Sequence, residues 1–206
     1  MRILVTGFEP FGNDNFNASD AVVSALPDHL GKNQITTAIL PVSFTRSGQA
    51  LNELLAETQP DALLCLGEAG GRKLITPELR AVNLNHARIP DNDGAQPQHT
   101  PIVAGGPHLL HPGLDARRIT RSLVLAGFAA APSEDAGRFV CNHVAYLAYA
   151  QPIPALFIHV PALRPDGSAA TVGRETDAKT AATHQEAADW DLPQLASAIE
   201  RVLAEI

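Results

Sequence analysis

The chain has 206 residues, 45% hydrophobic, 18% charged and 5% aromatic, with a formal net charge of −7. That length suits one catalytic-size domain spanning 1–206, and the hydrophobic share excludes a disordered chain. With 15 Lys and Arg against 22 Asp and Glu, a basic footprint for nucleic acid or an anionic membrane is excluded, and no apolar run approaches the about 18 residues a membrane span needs.

In chain order, Ile3-Leu4-Val5 is a short continuous apolar run ending in Thr6-Gly7, which predicts a buried strand and then a loop. In that loop, Gly7-Phe8-Glu9-Pro10-Phe11-Gly12, two glycines bracket two phenylalanines. Asn17-Ala18-Ser19 matches a glycosylation triplet, but MRILVTGF carries no secretion signal, so the triplet reads as a helix start. Ser19-Asp20 precede Ala21, Val22, Val23, Ala25 and Leu26, a short helix stopped by Pro27. Thr37 to Val42 reads as a second strand, and Leu51, Leu54 and Leu55 fall at helical spacing between Phe44 and Thr58. After Pro60-Asp61, the run Ala62 to Leu66 is a buried strand that ends at Gly67.

From Glu68 to Gly113 the chain is rich in Gly, Pro, Asn, Asp and His, with a short strand expected only at Leu79 to Leu84. An irregular stretch of that length in a compact domain is usually functional or disordered. Asp115 then caps a helix with Ile119, Leu123 and Val124 on one face and Gly127 as its stop. The apolar Phe139-Val140-Cys141 leads into a helix from Asn142 to Ala150, and Ala155 to Val160 is a strand closed by Pro161. Residues 164–190 read as a loop or weakly helical segment. In the C-terminal helix at 191–206, Asp191 caps, Pro193 suits the first turn, and Leu192, Leu195, Ile199, Val202 and Leu203 form the buried stripe. Alternating strands and helices give an α/β class with a largely parallel sheet covered on both faces.

Two cysteines, Cys65 and Cys141, are too few for a secreted disulfide framework and point to a reducing compartment. Cys65 lies among leucines and reads as packing. Cys141 sits where a strand-like run passes into a helix, where unpaired N–H groups and the helix dipole favour a thiolate nucleophile; an inert core thiol is the other reading. Of eight histidines, His29, His99, His108, His111 and His184 lie in polar or loop contexts and read as solvated. His86 is ambiguous, and His143, two residues after Cys141, points away from the thiol. His159 ends an otherwise apolar strand, either as a site base or as a core histidine. Glu78 pairs with Arg80 or accepts the imidazole N–H, and Asp91 is its rival unless Pro90-Asp91-Asn92-Asp93-Gly94 is a plain turn. Gly7-x4-Gly12 lacks the Lys-Ser/Thr of a phosphate loop. No cofactor and no catalytic metal are expected.

Together these pieces resemble pyroglutamyl peptidase I, the pyrrolidone-carboxylate peptidase family. The resemblance rests on Val5-Thr6-Gly7-Phe8-Glu9-Pro10-Phe11-Gly12 with Asn17, Leu40-Pro41-Val42-x-Phe44, Gly67-x-Ala69-Gly70-Gly71-Arg72 and Glu78. It continues through Ala81-Val82-Asn83, Ala87-Arg88-Ile89-Pro90-Asp91-Asn92, Ala136-Gly137-x-Phe139-x-Cys141-Asn142 and Phe157-Ile158-His159-Val160-Pro161. These blocks keep the family's order from residue 5 to about residue 163, and none is matched beyond 165.

The resemblance implies a cytoplasmic cysteine exopeptidase that removes an N-terminal pyroglutamyl residue from peptides, built as a three-layer α/β/α sandwich around a mixed, largely parallel twisted sheet. It implies no cofactor, no nucleic-acid or membrane partner, and a homo-oligomer, commonly a tetramer. By matching motifs, Cys141 is the nucleophile, His159 the general base and then acid, and Glu78 the orienter. Arg88 lies near the oxyanion, and Asp91 supports the site from outside the triad. Phe8 and Phe11 embrace the pyrrolidone ring, with Asn17, Glu68, Ile89 and Phe139 around it. The chain departs from the family at Glu68, where many relatives carry Gln, in the charged Ser133 to Arg138 segment, and in a short Cys141–His159 separation. Two other readings stay open at this point: a glutamine amidohydrolase with the same Cys-His-Glu set, and a non-catalytic pyroglutamyl-binding relative.

Overall fold

The computed structural model describes residues 1–163 and 190–206. The loop or weak helix expected at 164–190 lies outside the described residues up to 189, and so does His184. Eight strands are described: β1 (Arg2–Phe8), β2 (His29–Leu30), β3 (Asn33–Leu40), β4 (Ala62–Ala69), β5 (Thr76–Pro77), β6 (Ala81–Val82), β7 (Leu109–Leu110) and β8 (Ala155–Pro161). They alternate with five helices, α1 (Ala18–Ala25), α2 (Arg46–Thr58), α3 (Ala116–Leu125), α4 (Val140–Tyr149) and α5 (Leu192–Leu203).

Six strands form one sheet in the order β2-β3-β1-β4-β8-β5. The four inner strands are parallel, while β2 and β5 run antiparallel at the edges. Side chains alternate between two apolar layers. Ile3, Val5, Leu64, Leu66, Leu156, Ile158 and Val160 pack on α1, α3 and α5. Leu4, Leu63, Cys65, Ala155 and Phe157 pack with Leu51 of α2 and the buried face of α4. Both faces of the sheet are therefore covered, and the inner strands read as unbroken apolar runs for that reason. The fold is an α/β/α sandwich with a mixed, largely parallel sheet.

Several boundaries differ from the sequence expectation. β3 starts at Asn33 and ends at Leu40, because Pro41 cannot continue a ladder and Gly31, at φ 59°, turns β2 back onto β3. The strand-like Phe139-Val140-Cys141 is not a strand: Phe139 is the extended N-cap, and Val140 and Cys141 are already helical. Only Ala81–Val82 of the expected Leu79–Leu84 strand pairs, with Leu109–Leu110. α1 starts at Ala18, capped by Asn17, whose side chain accepts from Ser19 N. α5 follows expectation, with Asp191 and Gln194 forming a reciprocal capping box. Full burial of Leu195, Ile199 and Leu203 stabilises α5 against the sheet by about 1.5–3 kcal/mol each.

Candidate active site

The site lies at the carboxyl ends of β1, β4 and β8. Strand order reverses direction between β1 and β4, the kind of crevice where open α/β sheets bind ligands. β1 runs out through Phe8 into the loop carrying Phe11. Gly7 lets α1 approach, since a Cβ there would lie 2.7 Å from the Ser19 carbonyl oxygen. Ser19 Oγ accepts from Phe8 N at 3.0 Å, and Asn92 Oδ1 accepts from Gly12 N at 2.9 Å. The loop is thus held at both ends.

A narrow cleft opens here, lined by Phe8, Phe11, Asn17, Val42, Glu68, Phe139, Val140 and Cys141. The Phe11 and Phe139 rings lie 5.2 Å apart, and Phe44 meets Phe139 edge-on at 5.1 Å. Phe8 and Phe11 are buried in the same apolar layer as α4, so they are core residues and cleft walls at once. Asn17 lines the cleft, but its polar atoms are used locally: Nδ2 donates to Glu9 O at 3.0 Å, and Oδ1 accepts from Ser19 N and Oγ. Glu68 is buried, and its Oε2 accepts the backbone N–H of Ala18, the first residue of α1, where the helix dipole favours a carboxylate.

Cys141 is half-buried at the second position of α4, among N–H groups that no Phe139 side chain caps. Its sulfur abuts Gly67: a Cβ on Gly67 would lie 2.9 Å from Sγ and 2.8 Å from the tip of the Phe157 ring. Gly67 is the register partner of His159, and residues paired in adjacent parallel strands face the same side. Glycine therefore clears the space between the thiol and the imidazole strand. His159 is buried, and its Nδ1 lies 2.7 Å from Glu78 Oε1. Cys65 is a different thiol, fully buried, and desolvation pushes it up to about 12.

Glu78 follows β5 and is fully buried. Its N–H donates to Phe157 O at 2.9 Å, and its carbonyl accepts Tyr149 Oη–H at 3.0 Å. Arg72 Nη1 donates to Oε1, the same oxygen that faces His159, at 2.5 Å. Burial alone would raise this carboxyl, but the His159 hydrogen bond and charge together with Arg72 outweigh it and hold Glu78 below its ordinary value. For His159, burial and the Arg72 charge push the imidazole below its ordinary value, against the opposing pull of Glu78. An ionised Glu78 can only accept, so Nδ1 carries the proton and Nε2 is the basic atom.

Not every expected residue meets in this cleft. Glu78 pairs with Arg72 rather than Arg80, whose Nε reaches the Glu134 carbonyl at 2.7 Å. Asp91, the rival orienter, is spent on backbone: its oxygens accept from Phe44 N at 2.8 Å, Asp93 N at 3.0 Å and Ala95 N at 2.8 Å. Arg88 is exposed, and Ile89 is half-buried against the Phe11 layer; neither lines the cleft. His143 is buried and bonded to Asn85 Oδ1 at 3.1 Å. Two histidines read as solvated have partners: His99 stacks on His86 at 4.1 Å, and His111 Nδ1 bonds Leu79 O at 2.9 Å.

A family model described as pyroglutamyl peptidase matches residues 1–180. The chain belongs to the pyroglutamyl peptidase family, and is accordingly a hydrolase. Among relatives, the pyrrolidone-carboxylate peptidase of Staphylococcus aureus (strain JH9) is 44% identical over 167 residues, 78% of this chain and 79% of that one. The Streptococcus pyogenes serotype M1 protein of the same name is 40% identical over 78% of each chain. The solved pyrrolidone carboxyl peptidase of Thermus thermophilus superposes with a TM-score of 0.84 at 34% identity, covering 99% of this chain and 100% of that one. Three supporting residues of this family member had no assigned role in the sequence reading. Arg72 stood there only as the end of the Gly70-Gly71-Arg72 block. Tyr149 gave no signal, because its hydroxyl finds Glu78 from a distant helix. Asn142 followed the cysteine, yet it fastens β6 to α4 through Val82 N and O, both at 2.9 Å.

Proposed function

We propose that this chain hydrolyses the amide bond after an N-terminal pyroglutamyl residue by way of a thioester on Cys141. The reading is carried by one observation: His159, buried and bonded to Glu78, sits on the strand that flanks Gly67, and Gly67 yields its side-chain space to the Cys141 sulfur. His159 Nε2 takes the thiol proton, and the thiolate attacks the scissile carbonyl carbon. The oxyanion is held at the uncapped first turn of α4, where one such donor contributes about 3 kcal/mol; the likeness to the family adds Arg88, which stands outside the cleft lining, as a support that would have to swing in. His159 then gives its proton to the leaving amine as the C–N bond breaks. Water, deprotonated by His159, cleaves the thioester and releases pyroglutamate, restoring the thiol.

The cleft suits this substrate. A pyroglutamyl group is a flat, uncharged lactam with no free amine, and Phe8, Phe11 and Phe139 offer it apolar walls, while the Glu68 carboxylate in the lining is already engaged by the Ala18 N–H. Glu68 and the Asn17 region supply the polar floor. The likeness to the family extends the proposal to a cytoplasmic homotetramer, which sedimentation of the purified chain tests: a monomer would remove that part.

Turnover of pyroglutamyl, prolyl and glutaminyl reporter amides tests the activity. Pyroglutamyl amide alone should be cleaved, Cys141→Ala and Cys141→Ser should fall to background, and thiol alkylation should inactivate while a chelator has no effect. Robust turnover by Cys141→Ala would overturn the mechanism, and ammonia release from glutamine would favour an amidohydrolase.

A further inference from the structure

We propose that Arg72 is a positioning residue that locks the acid Glu78 and the approach to the nucleophile helix into one unit; this rests on the roles of Cys141, His159 and Glu78 given above. Arg72 lies in the turn after β4, with its N–H on Ala69 O at 3.2 Å. Its guanidinium is mostly buried and divides its donors. Nη1 reaches Glu78 Oε1 at 2.5 Å and Thr76 Oγ1 at 2.6 Å, while Nη2 reaches the carbonyl of Asp135. Thr76 is the register partner of His159. One planar fork thus touches the acid, the strand beside the base, and the segment leading to the nucleophile.

The third contact has no part in orienting the imidazole, yet it is built with care. Asp135 Oδ1 accepts from Gly137 N at 3.0 Å and Arg138 Nη1 at 2.8 Å, shaping the turn before α4. Gly137, at φ 79°, delivers the chain to the N-cap Phe139, and Cys141 follows two residues on. The same segment is laced to β5 and its exit: Ser133 N donates to Pro77 O at 2.9 Å, and Leu79 N to Ser133 O at 2.7 Å. A shift of Glu78 would therefore be felt where the thiol enters its helix. Lysine could hold the charge there but not the three-way fork.

The charge has its own consequence. His159 is faced by Glu78 and Arg72, by the more distant Asp135, and by the Cys141 thiol across Gly67. Removing a cation from this group raises proton affinity throughout it, so both limbs of a bell-shaped profile move to higher pH whichever of Cys141 and His159 carries the shared proton.

The experiment compares wild type, Arg72→Gln and Arg72→Lys in the full chain. It measures kcat and KM on a pyroglutamyl reporter amide across pH, and the pH dependence of iodoacetamide alkylation. Alkylation reports on Cys141, since the only other thiol, Cys65, is fully buried. Arg72→Gln should lose about 10²-fold in kcat with KM little changed, as expected for misplaced reacting groups, and should shift both limbs and the alkylation midpoint upward. Arg72→Lys should lose kcat with the limbs left near wild type. Unshifted limbs and alkylation in a folded Arg72→Gln overturn the electrostatic role; full kcat in Arg72→Lys overturns the positioning role. If Arg72→Gln does not fold, Arg72→Lys alone decides. If wild type cleaves no pyroglutamyl amide, the proposed reaction fails, and the alkylation profiles still decide the part played by Arg72.

Discussion

Gly67 shows how one absent atom organises the site. Any side chain there meets the Cys141 sulfur and the Phe157 ring at under 3 Å, and neither neighbour is a flexible tip: one is a reacting atom and the other a buried ring. Gly67→Ala should cost about 1–3 kcal/mol, the range for overpacking a dense core. It should lower kcat far more than that loss suggests, because relief comes by pushing the sulfur from the imidazole. Chemical denaturation and kcat on the same sample check this; an alanine variant with wild-type kcat would show that the sulfur has room to spare. Residues at this scale were unevenly legible in the chain. His159 stood out as a polar group ending an apolar strand, and Cys141 as a thiol at a helix start. Arg72 did not, because its partners lie six residues away on one side and in the Asp135 segment on the other, and charge spacing along the chain favoured Arg80 for Glu78.

Among the elements, the irregular span from Glu68 to Gly113 does the most positioning with the fewest regular hydrogen bonds. Its anchor is Asp91. One carboxylate oxygen holds Phe44 N and the other holds Asp93 and Ala95 N, while Asn92 N reaches Val42 O at 3.0 Å and Asn92 Nδ2 reaches Glu9 Oε1 at 2.9 Å. Through these contacts the loop fixes Val42 and the Phe8–Phe11 segment, both walls of the cleft. Asp91→Ala leaves a buried amide donor without its charged acceptor and should destabilise the fold by about 2 kcal/mol. KM for a pyroglutamyl amide should rise while the Cys141 alkylation rate stays near wild type; equal KM values would mean the loop holds its shape without Asp91. The longer elements were visible beforehand because burial on both faces makes an unbroken apolar run, as in β4 and β8, and burial on one face imposes a helical period, as in α5. Short pairings such as β5 and β6–β7 were not, since two-residue strands carry no period and exist only through their distant partners. The turn chemistry of Pro90 to Gly94 was legible as a turn; that the same aspartate staples the turn to Phe44 was not.

Across the whole molecule, stability and acidity are coupled through buried imidazoles. His143, on the inner face of α4, is held by Asn85 Oδ1 and the edge-on Phe44 ring at 5.9 Å, and burial lowers it to about 4. Unfolded, it titrates near 6.5, so between these values the unfolded chain binds the extra proton and the folded chain does not. Unfolding free energy therefore falls as pH drops from about 6.5 toward 4, by up to about 3 kcal/mol from this residue. His159, also below its ordinary value, adds to the loss with the same sign. Glu78 acts lower still: its folded value is depressed, so the stability it lends is complete above the unfolded carboxyl value and vanishes as pH falls through the folded one. Urea unfolding measured in steps from about pH 7.5 to about pH 4, which spans that window, should show a decline that starts well above the carboxylate range. His143→Gln keeps a hydrogen-bonding group for Asn85 but has no proton to bind. It should start somewhat less stable at pH 7.5 and lose less on acidification, so that its curve approaches that of wild type near pH 4, within the about 3 kcal/mol assigned above. A variant that declines as steeply as wild type would move the acid sensitivity from α4 to the His159–Glu78 pair, and the corresponding His159→Gln measurement would then carry the missing slope.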